Sequence, residues 1–317
     1  EENAKLLTLD NSLADGKKTS VAEAESRAIH DTENRYGRLK LEGQAIEEMI
    51  QCIKQRIGVI QFEKENSKYQ EVIIKRFKNF SDYNHKEIKA YLKLKHDIMV
   101  EFYGYFIDTE RKLNLVLEFA DGEELNDLVA DELLTYTHKL LVIEKIASLL
   151  QYLRINHTIH RDLKPDNFLV KIINDESLII KVLDFGISKV SNQTMFSQNT
   201  SSGTLVYSPP ELMSIGGKVS FKYDVWSYGL IVSYLFSEEQ PWGDKINQMQ
   251  IEYNLFKKKP YPVPKSIENK NIQRLIDLCT KINPEERINP ETILYLIEII
   301  KKGEDNIDLS MEDRHFK

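Results

Sequence analysis

Residues 160–167 read His-Arg-Asp-Leu-Lys-Pro-Asp-Asn, and Asp184-Phe185-Gly186 follows on the next apolar segment. Asp162 can accept a proton from an attacking hydroxyl. Asn167 and Asp184 are hard oxygen ligands suited to Mg²⁺, which would neutralise the phosphates of ATP. Eight ordered positions followed by a second acidic motif leave little room for the bland alternative, a solvated polar loop. Together they are the groups that phosphoryl-transfer chemistry calls for, and the fold has to accommodate both segments.

The chain has 317 residues, enough for one large domain or two lobes with a shared cleft. Its charged fraction of 29% and apolar fraction of 41% fit a water-soluble globular protein. A net charge of −7 argues against nucleic acid as the main partner. No apolar run approaches the roughly 20 residues that a membrane span needs, and the polar, acidic start does not read as a signal peptide. Cys52 and Cys279 are too few for a disulfide framework or a metal knuckle, and they fit a reducing interior. The expected location is the cytoplasm.

All nine prolines lie at or after Pro165. Residues 1–18 are polar and aperiodic. From about Val21 to Met49 the composition suits a proline-free accessory helix with a thin stripe of Ala24, Ala28, Tyr36 and Leu39. That helix packs on the neighbouring lobe, joins a helical partner or is simply solvated. Strands are expected at Ile57–Phe62, Glu71–Phe77 and Leu113–Phe119. An amphipathic helix is expected over Tyr83–Lys95. After Gly122 the pattern is mainly helical, with helices over Thr137–Asn156, Ser220–Ser237, Gln248–Phe256, Ile272–Thr280 and Pro290–Lys301.

The catalytic-looking run and the Asp-Phe-Gly motif resemble the protein kinase family, over roughly residues 46–302. The resemblance implies an α+β, bilobal fold. A small β-rich lobe (46–118) with one regulatory helix would precede a larger helical lobe (122–302), flanked by the segment 1–45 and a polar tail, 303–317. Val72-Ile73-Ile74-Lys75 looks like the family's third strand, with Lys75 on the α- and β-phosphates and Glu87 as its partner. The resemblance makes Leu117 the gatekeeper. It assigns the adenine edge to the backbone of Glu118 and Ala120, and the apolar floor to Leu169. Gly58 and Ile60 fall on the glycine-rich strand. Lys164, two residues after Asp162, is the serine/threonine pattern and would steady the γ-phosphate.

Arg161 is placed where the family often meets an activation-loop phosphate, and Ser197, Thr200, Ser201 and Ser202 lie in that loop. Thr204 and Tyr207-Ser208-Pro209-Pro210-Glu211 resemble the substrate-docking segment, with Glu211 expected to pair with Arg287. Asp224-Val-Trp-Ser-Tyr-Gly229 resembles the helix that anchors the catalytic loop from below. Pro241-Trp242 leans towards the tyrosine-kinase-like branch.

Two departures stand out. Counting back from Lys75, the expected glycines fall at Ile53, Gln55 and Gly58, and only Gly58 is glycine. Such glycines let backbone amides approach phosphate without a Cβ in the way. Ile73 replaces the usual alanine above the adenine ring. These changes motivate an alternative reading, a pseudokinase or nucleotide-responsive scaffold; a third is an assembly protein built on the N-terminal helix. Because Lys75, Asp162 and Asp184 are all present, the reading adopted is an ATP- and Mg²⁺-dependent serine/threonine kinase acting on a protein substrate.

Overall fold

The computed structural model describes residues 57–64, 68–77, 88, 90–107, 112–183, 205–213, 220–243 and 246–303. The expected accessory helix, Ile53, Gln55, Glu87, Asp184, the hydroxyls from Ser197 to Ser202, Thr204 and the tail after 303 lie outside them.

Among the described residues, 57–77 and 101–119 form one compact unit. It is a four-stranded antiparallel sheet of β1 (Ile57–Lys64), β2 (Lys68–Arg76), β3 (Phe102–Ile107) and β4 (Leu113–Glu118), ordered β1-β2-β4-β3. Alternation decides which side chains of β2 enter its core: Val72 and Ile74 are buried, while Ile73 and Lys75 on the opposite face are half-buried. Leu113, Leu115, Val116 and Leu117 are all buried, so both faces of this central strand are covered. β3 is not among the strands expected from the sequence. Its Phe-Tyr-Gly-Tyr-Phe-Ile run has strong strand propensity, but a bulge between Phe102 and Gly104 interrupts the alternation.

Residues 88–100 and 120–303 form the second unit, which is mainly helical. The helix expected for the small lobe therefore groups with this unit in its described part. Two backbone contacts explain why: the Val182 N–H donates to the Ile98 carbonyl at 2.7 Å, and Met99 bridges to Val182. The unit contains α1 (Leu125–Ala130), α2 (Tyr136–Ile155), α3 (Lys222–Ser237), α4 (Gln248–Phe256), α5 (Lys270–Cys279) and α6 (Pro290–Lys302). It also holds a three-stranded sheet, β5 (Glu123–Glu124), β6 (Phe168–Asn174) and β7 (Ser177–Val182). Reading the chain after Gly122 as mainly helical misses this sheet, although β6 and β7 carry Val170, Ile172, Ile173, Ile179, Ile180 and Val182.

Local chemistry sets the helix starts. Thr135, Asn247 and Asn269 each accept a backbone N–H from the first turn of α2, α4 and α5. At α6, Pro290 occupies the first turn and Gly303 closes the helix in the left-handed region, φ +70°.

α3 is buried all round, with Val225, Trp226, Tyr228, Leu230 and Ile231 inaccessible. Gly229 lets α5 approach it. A Cβ there would stand 2.7 Å from the Cys279 Cβ and 2.9 Å from the Thr280 Cγ2. Gly229→Ala is therefore expected to destabilise the domain by about 1–3 kcal/mol through overpacking, lowering the melting temperature by several degrees. A calorimetric melt at or above wild type would show that the two helices can separate without cost.

Candidate functional site

The run 160–167 is held from beneath by one carboxylate. Asp224, in the first turn of α3, accepts the His160 N–H at 2.6 Å and the Arg161 N–H at 2.8 Å, one on each oxygen. Burial pushes its pKa up to about 6, opposed by those two hydrogen bonds and by the Arg161 guanidinium. At neutral pH it is ionised and can accept both. The two bonds hold Arg161 at φ +70°, a conformation costly for a side chain of that kind.

Beyond the bend, Leu163 and Pro165 are buried, and Pro165–Asn167 closes a 3-10 turn. The Asn167 Nδ2 donates to the Asp162 carbonyl at 2.6 Å. This ties together the expected base and one expected metal ligand, and it leaves the Asn167 Oδ1 as the atom with the chemistry to ligate a hard cation. The Asn167 carbonyl accepts the Leu183 N–H at 2.9 Å, which fixes the chain one residue before Asp184. Asp162 and Lys164 are half-buried and Asp166 is exposed. Leu169, on β6 opposite Glu124 and Lys181, is half-buried, whereas Phe168 and Val170 point into the core.

In the strand-rich unit, register sets the remaining residues. Gly58 lies opposite Ile74, and Ile60 opposite Val72. Ile73 is flanked by Val59 and Leu117, and Lys75 by Ile57 and Leu115. The Lys75 ammonium stands 5.5 Å from the Phe77 ring centroid. The Glu118 N–H donates to the Glu101 carbonyl at 2.8 Å, and its carboxylate accepts the Glu101 N–H at 2.9 Å, fixing the end of β4. Ala120, two residues on and already counted with the helical unit, is buried.

The segment around Glu211 is anchored by an arginine. Arg287, 2% exposed, makes a bidentate pair with Glu211, both N–O distances being 2.7 Å. It also donates to the carbonyls of Lys281 and Lys222, each at 2.8 Å, and its guanidinium lies 5.0 Å from a Trp226 ring centroid. The Lys222 ammonium in turn donates to the Arg287 carbonyl, and burial lowers its pKa to about 8. Ser227 and Trp242 hold the backbone of Tyr207 and Val206 at 2.9 and 3.1 Å.

The protein kinase domain model matches residues 56–296. The chain belongs to the protein kinase family. Its strand-rich and helical units fit that family's α+β fold. The chain is 31% identical over 223 residues to a probable serine/threonine-protein kinase of Dictyostelium discoideum, covering 69% of this chain and 23% of that protein. It is 31% identical over 224 residues to the ovarian-specific serine/threonine-protein kinase Lok of Drosophila melanogaster, covering 68% and 46%. It is 32% identical over 219 residues to the Aurora kinase of Schizosaccharomyces pombe, covering 68% and 58%. The chain thus spans less than two thirds of each. These likenesses support a serine/threonine kinase of eukaryotic type and give no support to the tyrosine-kinase-like branch expected from Pro241-Trp242.

Within this kinase domain, one further side chain reaches the site segment. The Tyr91 hydroxyl, on the helical turn through residues 90–93, donates to the Leu183 carbonyl at 3.2 Å. A second bond therefore holds the residue preceding Asp184. From sequence, Glu87 is the one residue of that helix with an expected role at the site, and Tyr91 has none. The available signal was position, since Tyr91 follows Glu87 by four residues and so would share its helical face. Among the described residues no cluster of three His, Cys, Asp or Glu side chains could hold a metal, and no helix is long and apolar enough to cross a membrane.

Proposed function

We propose that this domain transfers the γ-phosphoryl group of ATP to a serine or threonine hydroxyl of a protein. The observation that carries the reading is the catalytic-loop clamp: Asp224 on the His160 and Arg161 amides, and Asn167 on the Asp162 carbonyl. Phosphoryl transfer depends chiefly on positioning and charge stabilisation, so a loop held by ordered bonds before substrate arrives suits it. Asp162 orients the attacking hydroxyl and takes its proton. Lys164 steadies the transferred group, and Lys75, partnered by Glu87, holds the α- and β-phosphates. Magnesium held by Asn167 and Asp184 would supply the positive charge that offsets the phosphate oxygens.

The nucleotide set is completed by Gly58, Ile60, Ile73, the main chain of Glu118 and Ala120, and Leu169. A phosphate on Ser197, Thr200, Ser201 or Ser202 would pair with Arg161. That guanidinium keeps a buried Nη1 without a hydrogen-bond partner among the described residues. The test is transfer of labelled γ-phosphate from Mg-ATP to a generic serine/threonine substrate and to the chain itself, with EDTA as control. Binding of Mg-ATP without transfer would instead support the scaffold reading, which the residues at 53, 55 and 73 favour.

Those residues carry their own prediction. By side-chain type alone, Ile53 and Gln55 would stiffen the segment that glycine would leave open, and Ile73 would add carbons above the base. The triple variant Ile53→Gly, Gln55→Gly, Ile73→Ala is expected to bind ATP more tightly by about 1–2 kcal/mol, on the scale of relieved overpacking. By calorimetry this is roughly a five- to thirtyfold lower Kd. Unchanged or weaker binding would mean that the loop has a compensating geometry of its own.

A further inference from the structure

α4 presents an apolar stripe to solvent. Met249, Tyr253 and Phe256 are 77%, 53% and 65% exposed, and their i, i+4, i+7 spacing puts them on one narrow face. Ile251 and Leu255, on the opposite face, anchor the helix in the domain and are buried. The helix needs no exposed apolar face for its own stability, and Asn247 and Gln250 already cap it reciprocally.

Charge selects among occupants. Lys257, Lys258 and Lys259 follow directly, all exposed, and among the described residues none pairs with a carboxylate. Two of them frame the stripe. The Lys257 ammonium lies 5.9 Å from the Tyr253 ring centroid and 5.7 Å from that of Phe256, and Lys259 lies 4.9 Å from Tyr253. The one acidic side chain of the helix, Glu252, is occupied by Gln248 at 2.9 Å.

We propose that α4 is a docking surface for an acidic amphipathic helix of a partner protein. The stripe runs about 10 Å, seven residues at 1.5 Å each, which matches the apolar face of a helix of two to three turns. Leucine-type side chains of the partner would cover Met249, Tyr253 and Phe256, and its carboxylates would meet Lys257 and Lys259. A cation already seated on an aromatic ring keeps its outward N–H groups for such an acceptor.

The test uses the full chain and two synthetic helical peptides with the same leucine spacing, one flanked by glutamates and one by lysines. Fluorescence anisotropy should show the glutamate peptide binding at least tenfold more tightly. Tyr253→Ala with Phe256→Ala should weaken it at least tenfold. Lys257→Glu with Lys259→Glu should reverse the preference between the two peptides. Because all four side chains are exposed, melting temperatures should stay at the wild-type value. Equal binding of the two peptides, or of neither, overturns the proposal. So does a dimer in sedimentation that Phe256→Ala dissolves, which would give the stripe to a second copy of the chain. Lysine-dependent binding to phosphatidylserine vesicles that leaves the glutamate peptide unbound would give it to a membrane.

Discussion

Asp162→Asn is expected to keep the fold and Mg-ATP binding while lowering phosphoryl transfer by about 10²–10⁴-fold, the usual range for losing a positioned general base. An amide has nearly the shape of the carboxylate but cannot take the hydroxyl proton. The loop should survive the change, because the Asn167 Nδ2 bonds to the main-chain carbonyl of residue 162, not to its side chain. The Asp224 bonds to the amides of His160 and Arg161 are likewise independent of it. A radiolabel transfer assay, a nucleotide titration and a melt of the same preparation separate the effects. Wild-type transfer no faster than that of the variant would overturn the enzyme reading in favour of a nucleotide-responsive scaffold.

Arg287→Ala is expected to destabilise the protein by about 3–5 kcal/mol, the cost of breaking a buried ion pair from one side. The loss has two parts. Glu211 is left with a largely buried charge and no counterion, and the carbonyls of Lys281 and Lys222 lose a donor. The melting temperature should fall by roughly 10 °C. Pairing the change with Glu211→Gln should recover part of this, because the stranded charge is then removed. A single variant that melts within a degree or two of wild type would show that water or another cation takes the place of Arg287.

Much of this domain can be read without coordinates, for identifiable reasons. The ends of α2, α4, α5 and α6 fall within two residues of expectation, since periodicity and capping by Thr135, Asn247 and Asn269 are local signals. The Glu211–Arg287 pair was legible from motif order, and the geometry now supplies its bidentate form. The β6–β7 hairpin and β3 are not legible in this way. Short apolar runs of this kind cannot be told from helix segments by period alone, and only their pairing partners make them strands.

Sequence alone determined the chemical inventory: which carboxylates, amides and cations occur, in what order, and hence the family. Tertiary structure decided how that inventory is held. That the helix at Asp224 anchors the catalytic loop was implied by its motif, but that it does so through two amides 63 and 64 residues away, and that Tyr91 bonds a carbonyl 92 residues away, leaves no local trace. Grouping of residues 88–100 with the helical unit, and exposure of Met249, Tyr253 and Phe256, depend equally on neighbours distant in the chain. Periodicity reports a helix's faces; only packing against the rest of the fold decides which face is left to solvent.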